Sequence, residues 1–422
     1  MGDRRSRLIP SSSGTTTSVK AIKLSEINSA QKERIDTGIG ELNRVLGGGI
    51  VRGSLTLISG EPGIGKSTLI LQTAIKLAEK QGVVLYVSGE ESEEQLKMRA
   101  DRLAESLPEN LLILAETDMD NIASIVTETK PVFLIIDSVQ TMYTSEIESV
   151  AGSVSQVRAC TGDLMRMAKV LDIPIFIVAH VTKSGELAGP KIIEHMVDCV
   201  LHFSGERDHD FRILRANKNR FGTTSEIGAF EMKEEGLVEI HDLSGSLLEG
   251  MDEATEGAIA TAVNEGSRPL LLEIQALTST AGAGFPRRTS IGVEIARLNM
   301  IIAVLERKAK MTLSSSDIYV NVVGGIKADG TSVDLAVALS IWSSAKNIAI
   351  SPHTLAIGEI GLTGEIRSVK GVDKIIKEAA KLGFNKIILP KKNVARLTET
   401  SDVTKDLKII GVSNIIDAIN SL

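Results

Sequence analysis

The sequence is poor in aromatic residues and in cysteine. Aromatic residues make up 3% of the 422 residues, so we expect cores of Ile, Leu, Val and Ala, as in α/β proteins with buried parallel strands. This composition disfavours an all-β sandwich. Cys160 and Cys199 are the only cysteines, which excludes a disulfide framework or a cysteine metal cluster and fits a reducing cytosol.

The chain also lacks the features of secreted and membrane proteins. It has no run of about 18 or more apolar residues, and its polar start has no apolar signal-peptide core. We therefore expect a cytoplasmic protein with neither a signal peptide nor a membrane span. The net charge of −7 gives no overall attraction to nucleic acid. Any DNA contact must come from Lys and Arg on particular loops or on a ring of subunits.

Length and pattern together predict two folded domains. A chain of 422 residues exceeds one ordinary core, and 43% apolar with 24% charged residues is typical of soluble globular proteins. Residues 1–30 are rich in Ser and Thr and are interpreted as a disordered lead or an appended expression remnant. We predict a first domain over residues 31–245, a linker over 246–257 and a second domain over 258–422.

The first domain alternates short β-branched runs with helical patterns, which predicts a parallel sheet covered by helices on both faces. The expected parallel strands are Ser54–Ser59, Val83–Ser88, Leu111–Leu114, Val132–Asp137 and Ile175–Ala179. Three further strands joined by polar turns predict an antiparallel extension of this sheet. They are Val197–Phe203, Phe211–Ala216 and Ile227–Met232.

The second domain is predicted to be α/β or α+β. Its expected strands are Ala258–Val263, Leu270–Ala276, Ile318–Val323, Thr354–Ile357 and Lys386–Leu389. Its expected helices are Gly292–Lys308, Ser332–Ala345 and Val372–Leu382.

Residues 60–68 match the P-loop motif in sequence and in the secondary structure predicted on either side. The segment follows a predicted strand, precedes a helical pattern and reads Gly60, Glu61, Pro62, Gly63, Ile64, Gly65, Lys66, Ser67, Thr68. In such a loop, backbone N–H groups wrap the phosphates of ATP, Lys66 reaches the β and γ oxygens, and Ser67 offers its hydroxyl to Mg²⁺. The alternative, a glycine turn that precedes a helix by chance, is disfavoured by the context.

Three more strands end in groups that suit nucleotide chemistry. Val132–Asp137 is an apolar strand that ends in a carboxylate, and we expect Asp137 to hold the water shell of Mg²⁺. Another strand runs into Glu90, where a general base would orient the attacking water, although a solvated acidic helix start reads similarly. A third ends at His180, which is either a sensor of the γ-phosphate or a hydrogen-bonded surface histidine.

The stretch Arg215–Gly222 carries a pair of cations. Residues two apart in an extended segment share a face, so Lys218 and Arg220 are expected to point the same way. Three interpretations of such a pair are open. The cations could contact the ATP of a neighbouring subunit, they could contact nucleic-acid phosphates, or they could lie on a solvated basic edge strand.

Taken together, the P-loop, SGEES at 88–92, LIIDS at 134–138 and KNRFG at 218–222 resemble the RadA, or Sms, family of bacterial DNA repair and recombination ATPases. The resemblance covers roughly residues 30–422, and the KNRFG string is characteristic of that family. It implies a RecA-like P-loop NTPase core followed by a Lon-protease-like α/β domain. It also implies a hexameric ring that uses ATP to move on single-stranded DNA and to drive branch migration, often alongside RecA.

The same resemblance implies roles for individual residues. Glu90 corresponds to the water-activating carboxylate, and Lys218 and Arg220 correspond to the pair that acts on ATP across a subunit interface. One feature departs from the family: RadA proteins usually begin with a four-cysteine zinc module, whereas this chain has no cysteine before Cys160. Either this chain is a trimmed form or this version lacks the module, so zinc is not predicted.

Two loops after core strands would line the central channel and meet DNA by the same resemblance. They are residues 143–156 and 181–195, with Lys183 and Lys191 as candidate phosphate contacts. Only Tyr143 supplies an aromatic ring in these loops, so a base-stacking platform has little support.

The second domain resembles the proteolytic domain of Lon in its fold pattern, and Ser332 falls where the Lon nucleophile would be. A serine nucleophile needs a base such as lysine, but the corresponding position is Asp373, with Lys374 next to it. We therefore interpret the domain as a non-proteolytic, ring-forming platform that offers Arg287 and Arg288 to duplex DNA.

The leading hypothesis is a DNA-dependent, helicase-like ATP hydrolase that uses Mg²⁺ and acts on single-stranded and branched DNA. It would be a cytoplasmic, nucleoid-associated homo-oligomer. Two alternatives remain open: an ATP-dependent protease that uses the Lon-like domain, and a RecA-like regulatory ATPase that does not bind DNA. ATP-driven proteolysis would favour the first alternative, and ATP turnover that single-stranded DNA leaves unchanged would favour the second.

Overall fold

The computed structural model describes residue 23 and residues 33–179, 189–205, 211–266, 268–282, 285–325, 327–328, 330–397 and 407–422. The chain divides into two compact units, residues 1–240 and residues 241–422. Both are mixed α/β, which confirms the predicted fold class. No helix in the described part of the chain combines the length and the apolar character that crossing a membrane requires.

The elements of the first unit alternate along the chain. The described strands are β1 (Arg34–Ile35), β2 (Ile50–Val51), β3 (Leu55–Gly60), β4 (Val84–Ser88), β5 (Leu111–Ala115), β6 (Phe133–Asp137), β7 (Ile175–Val178), β8 (Cys199–Ser204), β9 (Phe211–Asn219), β10 (Ile227–Lys233) and β11 (Gly236–Glu239). The described helices are α1 (Gly40–Leu46), α2 (Lys66–Lys80), α3 (Glu93–Leu103), α4 (Met119–Thr129), α5 (Val154–Leu171) and α6 (Gly189–Met196).

One sheet organises this unit. Among the described residues its strand order is β11-β10-β9-β8-β3-β7-β6-β4-β5. The strands from β8 to β5 pair in parallel, and β9, β10 and β11 add antiparallel strands at the β8 side. The predicted parallel sheet with an antiparallel extension is therefore confirmed, with boundaries within three residues of the predicted ones.

The buried strands supply side chains to both faces of the sheet. Along β6, Ile135 packs with α1, α2 and α3 on one face, whereas Leu134 and Ile136 pack with α4, α5 and α6 on the other. Phe133 and Phe176 meet edge to face with ring centroids 5.0 Å apart, a favoured aromatic geometry. Since aliphatic side chains fill most of both cores, the low aromatic content is accommodated.

Parallel pairing aligns the carboxyl ends of the central strands along one edge of the sheet. Gly60 ends β3, Ser88 ends β4, and Asp137 ends β6 in register with Ser88. The edge where such strands end is where ligands bind in open α/β sheets. We call it the carboxyl edge and the opposite one the amino edge.

The second unit is a mixed sheet with helices. Its described strands are β12 (Thr255–Glu256), β13 (Ala258–Glu265), β14 (Arg268–Thr280), β15 (Arg288–Ile291), β16 (Ser316–Val322), β17 (Ala349–Ile350), β18 (Thr354–Ala356), β19 (Glu359–Ile360), β20 (Ile366–Arg367), β21 (Lys386–Pro390) and β22 (Lys408–Val412). Its described helices are α7 (Leu243–Leu247), α8 (Ile295–Lys308), α9 (Asp334–Lys346), α10 (Val372–Lys381), α11 (Lys391–Val394) and α12 (Ile415–Ile419).

Within the described residues the main sheet of this unit has the order β15-β16-β14-β13-β18-β21-β22. Helix α10 packs onto a core formed with β13, β18 and β21, and α9 is buried over most of its length. The predicted linker, residues 246–257, spans the end of α7 and β12. All five predicted strands and all three predicted helices of this domain are present.

Candidate nucleotide site

The P-loop turns sharply at the carboxyl edge because two of its positions accept only glycine. A Cβ on Gly60 would lie 2.4 Å from the carbonyl oxygen of Phe203, which leaves no space for a side chain. Gly65 has a φ of +110° and precedes the first residue of α2, a backbone conformation that glycine adopts at little cost. The chain therefore enters α2 with its backbone N–H groups directed at the space above the loop.

Lys66 is the first residue of α2, and its side chain lies inside the loop. Its ammonium group donates to the carbonyl oxygens of Gly60 at 2.8 Å and Glu61 at 2.9 Å, and the residue is 3% exposed. Burial lowers the pKa of Lys66 to about 8, although the carboxylates of Asp137 and Glu90 act in the opposite direction. A triphosphate beside this amine would favour its charged form.

Asp137 lies at the end of β6 and is fixed by a tyrosine. The hydroxyl of Tyr86 on β4 donates to Oδ2 of Asp137 at 2.6 Å, and both side chains are buried. Burial, followed by the adjacent Asp137 carboxylate, raises the pKa of Tyr86 well above its usual value. The phenol therefore stays a hydrogen-bond donor, and it leaves Oδ1 of Asp137 for other partners.

Glu90 lies on the turn after β4 and is exposed. The hydroxyl of Ser138, the residue that follows Asp137, donates to Oε1 of Glu90 at 2.5 Å. Glu91 forms an ion pair with Arg99 of α3, and α3 itself begins with a capping box between Ser92 and Gln95. These contacts hold the acidic turn against the loop that follows β6.

These groups surround one cavity of about 330 Å³. Its lining residues come from the P-loop, from the ends of β4 and β6, from α3 and from β10: Gly63, Gly65, Lys66, Ser67, Thr68, Ser88, Glu90, Glu91, Arg99, Arg102, Asp137 and Met232. Loop amides, three cations and a hydroxyl beside a carboxylate are the groups expected to bind a triphosphate with a hydrated Mg²⁺. The residues present therefore fit the predicted nucleotide and metal.

Magnesium here would be held through few protein ligands. In the described part of the chain, no group of three or more His, Cys, Asp or Glu side chains could hold a metal. Mg²⁺ usually keeps several waters and binds through one or two protein oxygens together with substrate phosphates. Ser67 and Asp137, which line the same cavity, would be those protein oxygens.

The remaining predicted P-loop residues lie around this cavity with different surroundings. Ile64 is 5% exposed and packs in the core, Pro62 is exposed, and the carbonyls of Gly60 and Glu61 hold Lys66. Ser67 and Thr68 follow Lys66 in the first turn of α2.

Arg99 and Arg102 were absent from our sequence predictions, as was Tyr86. The two arginines lie three residues apart on α3, so they share a helix face. That spacing was visible in the sequence, but it does not reveal that the face turns toward the P-loop. Tyr86 is itself a buried core residue of β4, and only the parallel register of β4 and β6 places its hydroxyl beside Asp137.

Lys218 and Arg220 lie away from this cavity, at the amino edge. Lys218 is in register with Val200, whereas Gly60 of the P-loop is in register with Phe203 of the same strand β8. Val200 and Phe203 are three residues apart on β8, which corresponds to about 10 Å along the strand. Neither cation is among the described residues that line the cavity.

Both cations are held by neighbouring acceptors. The ammonium of Lys218 donates to the carbonyl oxygens of Glu194 at 2.9 Å and His195 at 3.2 Å, and burial together with the nearby Arg220 lowers the pKa of Lys218. The guanidinium of Arg220 donates to Oδ1 of Asp198 at 3.2 Å. The expected pair therefore belongs to one cluster at the amino edge.

The candidate DNA loops are only partly within the described residues. His180 and Lys183 lie outside them, and of Lys191 only its place in α6 is described. The loop over residues 143–156 is shaped by the buried side chain of Gln156. Its amide nitrogen donates to three carbonyl oxygens of the loop, at Thr144, Ile147 and Ser149.

The hydroxyl of Ser332, in the second unit, donates to the carbonyl oxygen of Ala262 at 3.3 Å. Among the described residues this backbone oxygen is its hydrogen-bond partner, so the serine has no basic side chain bonded to it. Arg287 is exposed, and Arg288 is directed into its own unit by bonds to the carbonyl oxygens of Ser316 and Leu313. This leaves Arg287 as the more accessible of the two arginines.

Residues 23–186 match the protein family described as "AAA domain", and residues 287–393 match the one described as "Subunit ChlI of Mg-chelatase". The chain is 51% identical over 396 residues to DNA repair protein RadA of Halalkalibacterium halodurans. This alignment covers 94% of this chain and 86% of the relative. It is 49% identical over 402 residues to DNA repair protein RadA of Bacillus subtilis, and this alignment covers 95% of this chain and 87% of the relative. Among solved structures, a KaiC-like protein of Pyrococcus horikoshii aligns with a TM-score of 0.42 and 20% identity over 49% of this chain and 99% of that one.

Proposed function

Because the chain belongs to the family of DNA repair protein RadA, we propose that it is a DNA-dependent ATPase and helicase-like motor. In this proposal it binds single-stranded DNA and promotes branch migration of recombination intermediates. The observation that carries the enzymatic part is the P-loop cavity, in which Lys66, Glu90 and Asp137 converge. The DNA part is supported by the similarity of the chain to DNA repair proteins.

The chemistry follows from the residues around the cavity. The loop amides and Lys66 bind the β- and γ-phosphates, and a bound Mg²⁺ would neutralise charge on the same oxygens. Glu90, held by Ser138, orients a water molecule for attack on the γ-phosphorus. Asp137, held by Tyr86, stabilises the water shell of the metal. Each catalytic carboxylate thus has a hydroxyl partner that restricts its orientation.

We propose that Lys218 and Arg220 complete the site of a neighbouring subunit. They lie about 10 Å along the strands from the level of their own P-loop, so a contact with ATP requires a second copy of the chain. A closed ring, most simply a hexamer, would bring the amino edge of each subunit to the carboxyl edge of the next. Positive groups that reach across an interface stabilise the charge of the phosphoryl-transfer transition state.

In the ring, the loop at residues 143–156 and the segment after β7 would face the DNA strand, and Arg287 would contact duplex DNA. The first loop carries Tyr143, a residue that is 37% exposed. Contacts with DNA phosphates, such as the one proposed for Arg287, do not depend on base sequence. A motor that moves along DNA requires that property.

The test is steady-state ATP turnover with and without a single-stranded oligonucleotide, together with displacement of a strand from a forked duplex. We expect DNA to raise turnover and strand displacement to require ATP, with both absent in Lys66→Ala. Turnover that is insensitive to DNA would support a regulatory ATPase instead. Digestion of an unfolded protein substrate by wild type but not by Ser332→Ala would support the protease alternative, which the backbone partner of Ser332 disfavours.

A further inference from the structure

Asp198 connects the strand that leads into the P-loop with the basic segment after β9. It directly precedes β8 and is 3% exposed. Its backbone N–H donates to the carbonyl oxygen of Leu55 at 2.9 Å, and its Oδ2 accepts from the N–H of Leu55 at 3.2 Å. Asp198 is therefore fixed to the first residue of β3 by both its backbone and its side chain.

The buried carboxylate of Asp198 also holds two cations. Arg220 donates to Oδ1 at 3.2 Å, and Lys169 of α5 donates to Oδ2 at 2.8 Å. The backbone N–H of Arg220 donates to the carbonyl oxygen of Asp198 at 3.1 Å. A carboxylate at this depth is costly without such partners. The contacts explain how the charge is tolerated, and they fix Arg220 at two points.

The turn that carries Arg220 is fastened on its other side as well. The amide oxygen of Asn219 accepts from the N–H of Phe221 at 2.9 Å, and Arg34 donates to the carbonyl oxygen of Phe221 at 2.5 Å. The ring of Phe221 lies 5.9 Å from the ammonium of Lys169, a cation–π distance. These contacts restrict the backbone around Arg220.

The Arg220 side chain nevertheless has hydrogen-bond donors that are not bonded to Asp198. Its side chain is 56% exposed, and a guanidinium has five N–H donors. One of them is bonded to Asp198, and no other acceptor is found for this side chain among the described residues. The exposed edge of the guanidinium can therefore bind an anion while the inner edge stays on Asp198.

We infer that Asp198 is a positioning residue that holds Arg220 at the amino edge for the ATP of the neighbouring subunit. The inference rests on the proposed function of Arg220 in that site. Pre-orientation of a transition-state cation lowers the barrier without a reorganisation cost at the moment of reaction. Asp198 touches neither substrate nor metal, so its loss should change kcat far more than the KM for ATP.

The experiment is a double-mutant cycle on assembled protein, with kcat and KM measured for Asp198→Asn, Arg220→Ala and the double variant. By analogy with other arginines that act in trans, Arg220→Ala should lower kcat by roughly 10³-fold. Asp198→Asn keeps the shape but not the charge, and should lower kcat about tenfold with KM within about twofold. In the double variant kcat should be no lower than in Arg220→Ala alone, because Asp198 acts through Arg220.

A matched control lies in the second unit, where the buried carboxylate of Asp334 accepts hydrogen bonds from Nε and Nη2 of Arg297. Asp334→Asn should lower Tm as Asp198→Asn does but leave kcat of the assembled protein unchanged. If Asp198→Asn does not assemble, Asp198→Glu keeps the charge and displaces the carboxylate, and the same non-additivity is expected. An unchanged kcat for the Asp198 variant, or an effect that multiplies with Arg220→Ala, would overturn the inference. Wild-type kcat in Arg220→Ala would overturn the trans role of Arg220, and the inference with it.

Discussion

Lys66 and Lys218 lie at opposite edges of one β-sheet in the same chain. Lys66 follows the carboxyl end of β3 and is 3% exposed within the P-loop, whereas Lys218 is held at the amino edge by the last carbonyls of α6. The two ammonium groups therefore lie in different places: that of Lys66 in the P-loop and that of Lys218 at the amino edge. In the proposed function, one subunit provides the loop that binds the phosphates, and Lys218 and Arg220 act on the ATP of a neighbouring subunit.

Glu90→Gln should slow hydrolysis strongly while ATP binding is retained. The amide keeps the size of the carboxylate but cannot accept a proton from the attacking water, and we expect turnover to fall by roughly 10²- to 10⁴-fold. Single-turnover hydrolysis and equilibrium binding of labelled ATP are the measurements. Ser138→Ala, which removes the hydroxyl that bonds to Glu90, should lower turnover less. Hydrolysis at the wild-type rate in Glu90→Gln would remove Glu90 from the mechanism.

Tyr86→Phe removes the buried donor to Asp137 while keeping the ring. The carboxylate then loses a 2.6 Å hydrogen bond, and leaving a buried acceptor without its donor costs about 1–3 kcal/mol. We expect a lower Tm and a higher Mg²⁺ requirement for turnover, because Asp137 is no longer held in one orientation. Activity is measured as a function of Mg²⁺ at saturating ATP. An unchanged Mg²⁺ dependence would mean that the hydroxyl stabilises the fold alone.

The affinity for nucleotide should depend on pH through Lys66. In the free protein, burial sets the pKa of Lys66 at about 8, below its ordinary value, and a bound triphosphate favours the charged amine. Binding is therefore strongest below pH 8 and weakens as pH rises through 8, by roughly tenfold for each further unit. Titration with a non-hydrolysable ATP analogue at pH 7 and pH 9 tests this.

Two further observations accompany that pH dependence. At pH 8 binding should take up about half a proton, which calorimetry in two buffers of different ionisation enthalpy detects. Lys66→Arg keeps its charge across this range and should show neither effect. If wild-type affinity is the same at pH 7 and pH 9, the amine does not titrate in the free site.

The central sheet and the P-loop were predictable because their signals are local. A strand such as β6 is a continuous apolar run, and the glycines at 60, 63 and 65 mark a turn directly before a helical pattern. Helix α8 begins at Ile295 rather than at the predicted Gly292, since Glu294 is still extended. Such end effects depend on backbone angles that residue types determine only loosely.

Partners that come together across the sheet could not be predicted in the same way. Asp198 and Arg220 are 22 residues apart and meet only because β8 and β9 pair antiparallel. Tyr86 and Asp137 are 51 residues apart and meet through parallel register. No periodicity encodes such register, so the roles of Asp198 and Tyr86 emerge only from the fold.

Mixing two inactive variants tests the shared site most directly. Lys66→Ala lacks a working P-loop and Lys218→Ala lacks the cation offered to a neighbour, so each alone should hydrolyse little ATP. In randomly mixed rings at equal amounts, roughly a quarter of the interfaces pair an intact P-loop with an intact Lys218. We predict recovery of about that share of wild-type turnover once mixed assembly is verified by native mass spectrometry. Verified mixed rings that remain inactive at every ratio would contradict the account.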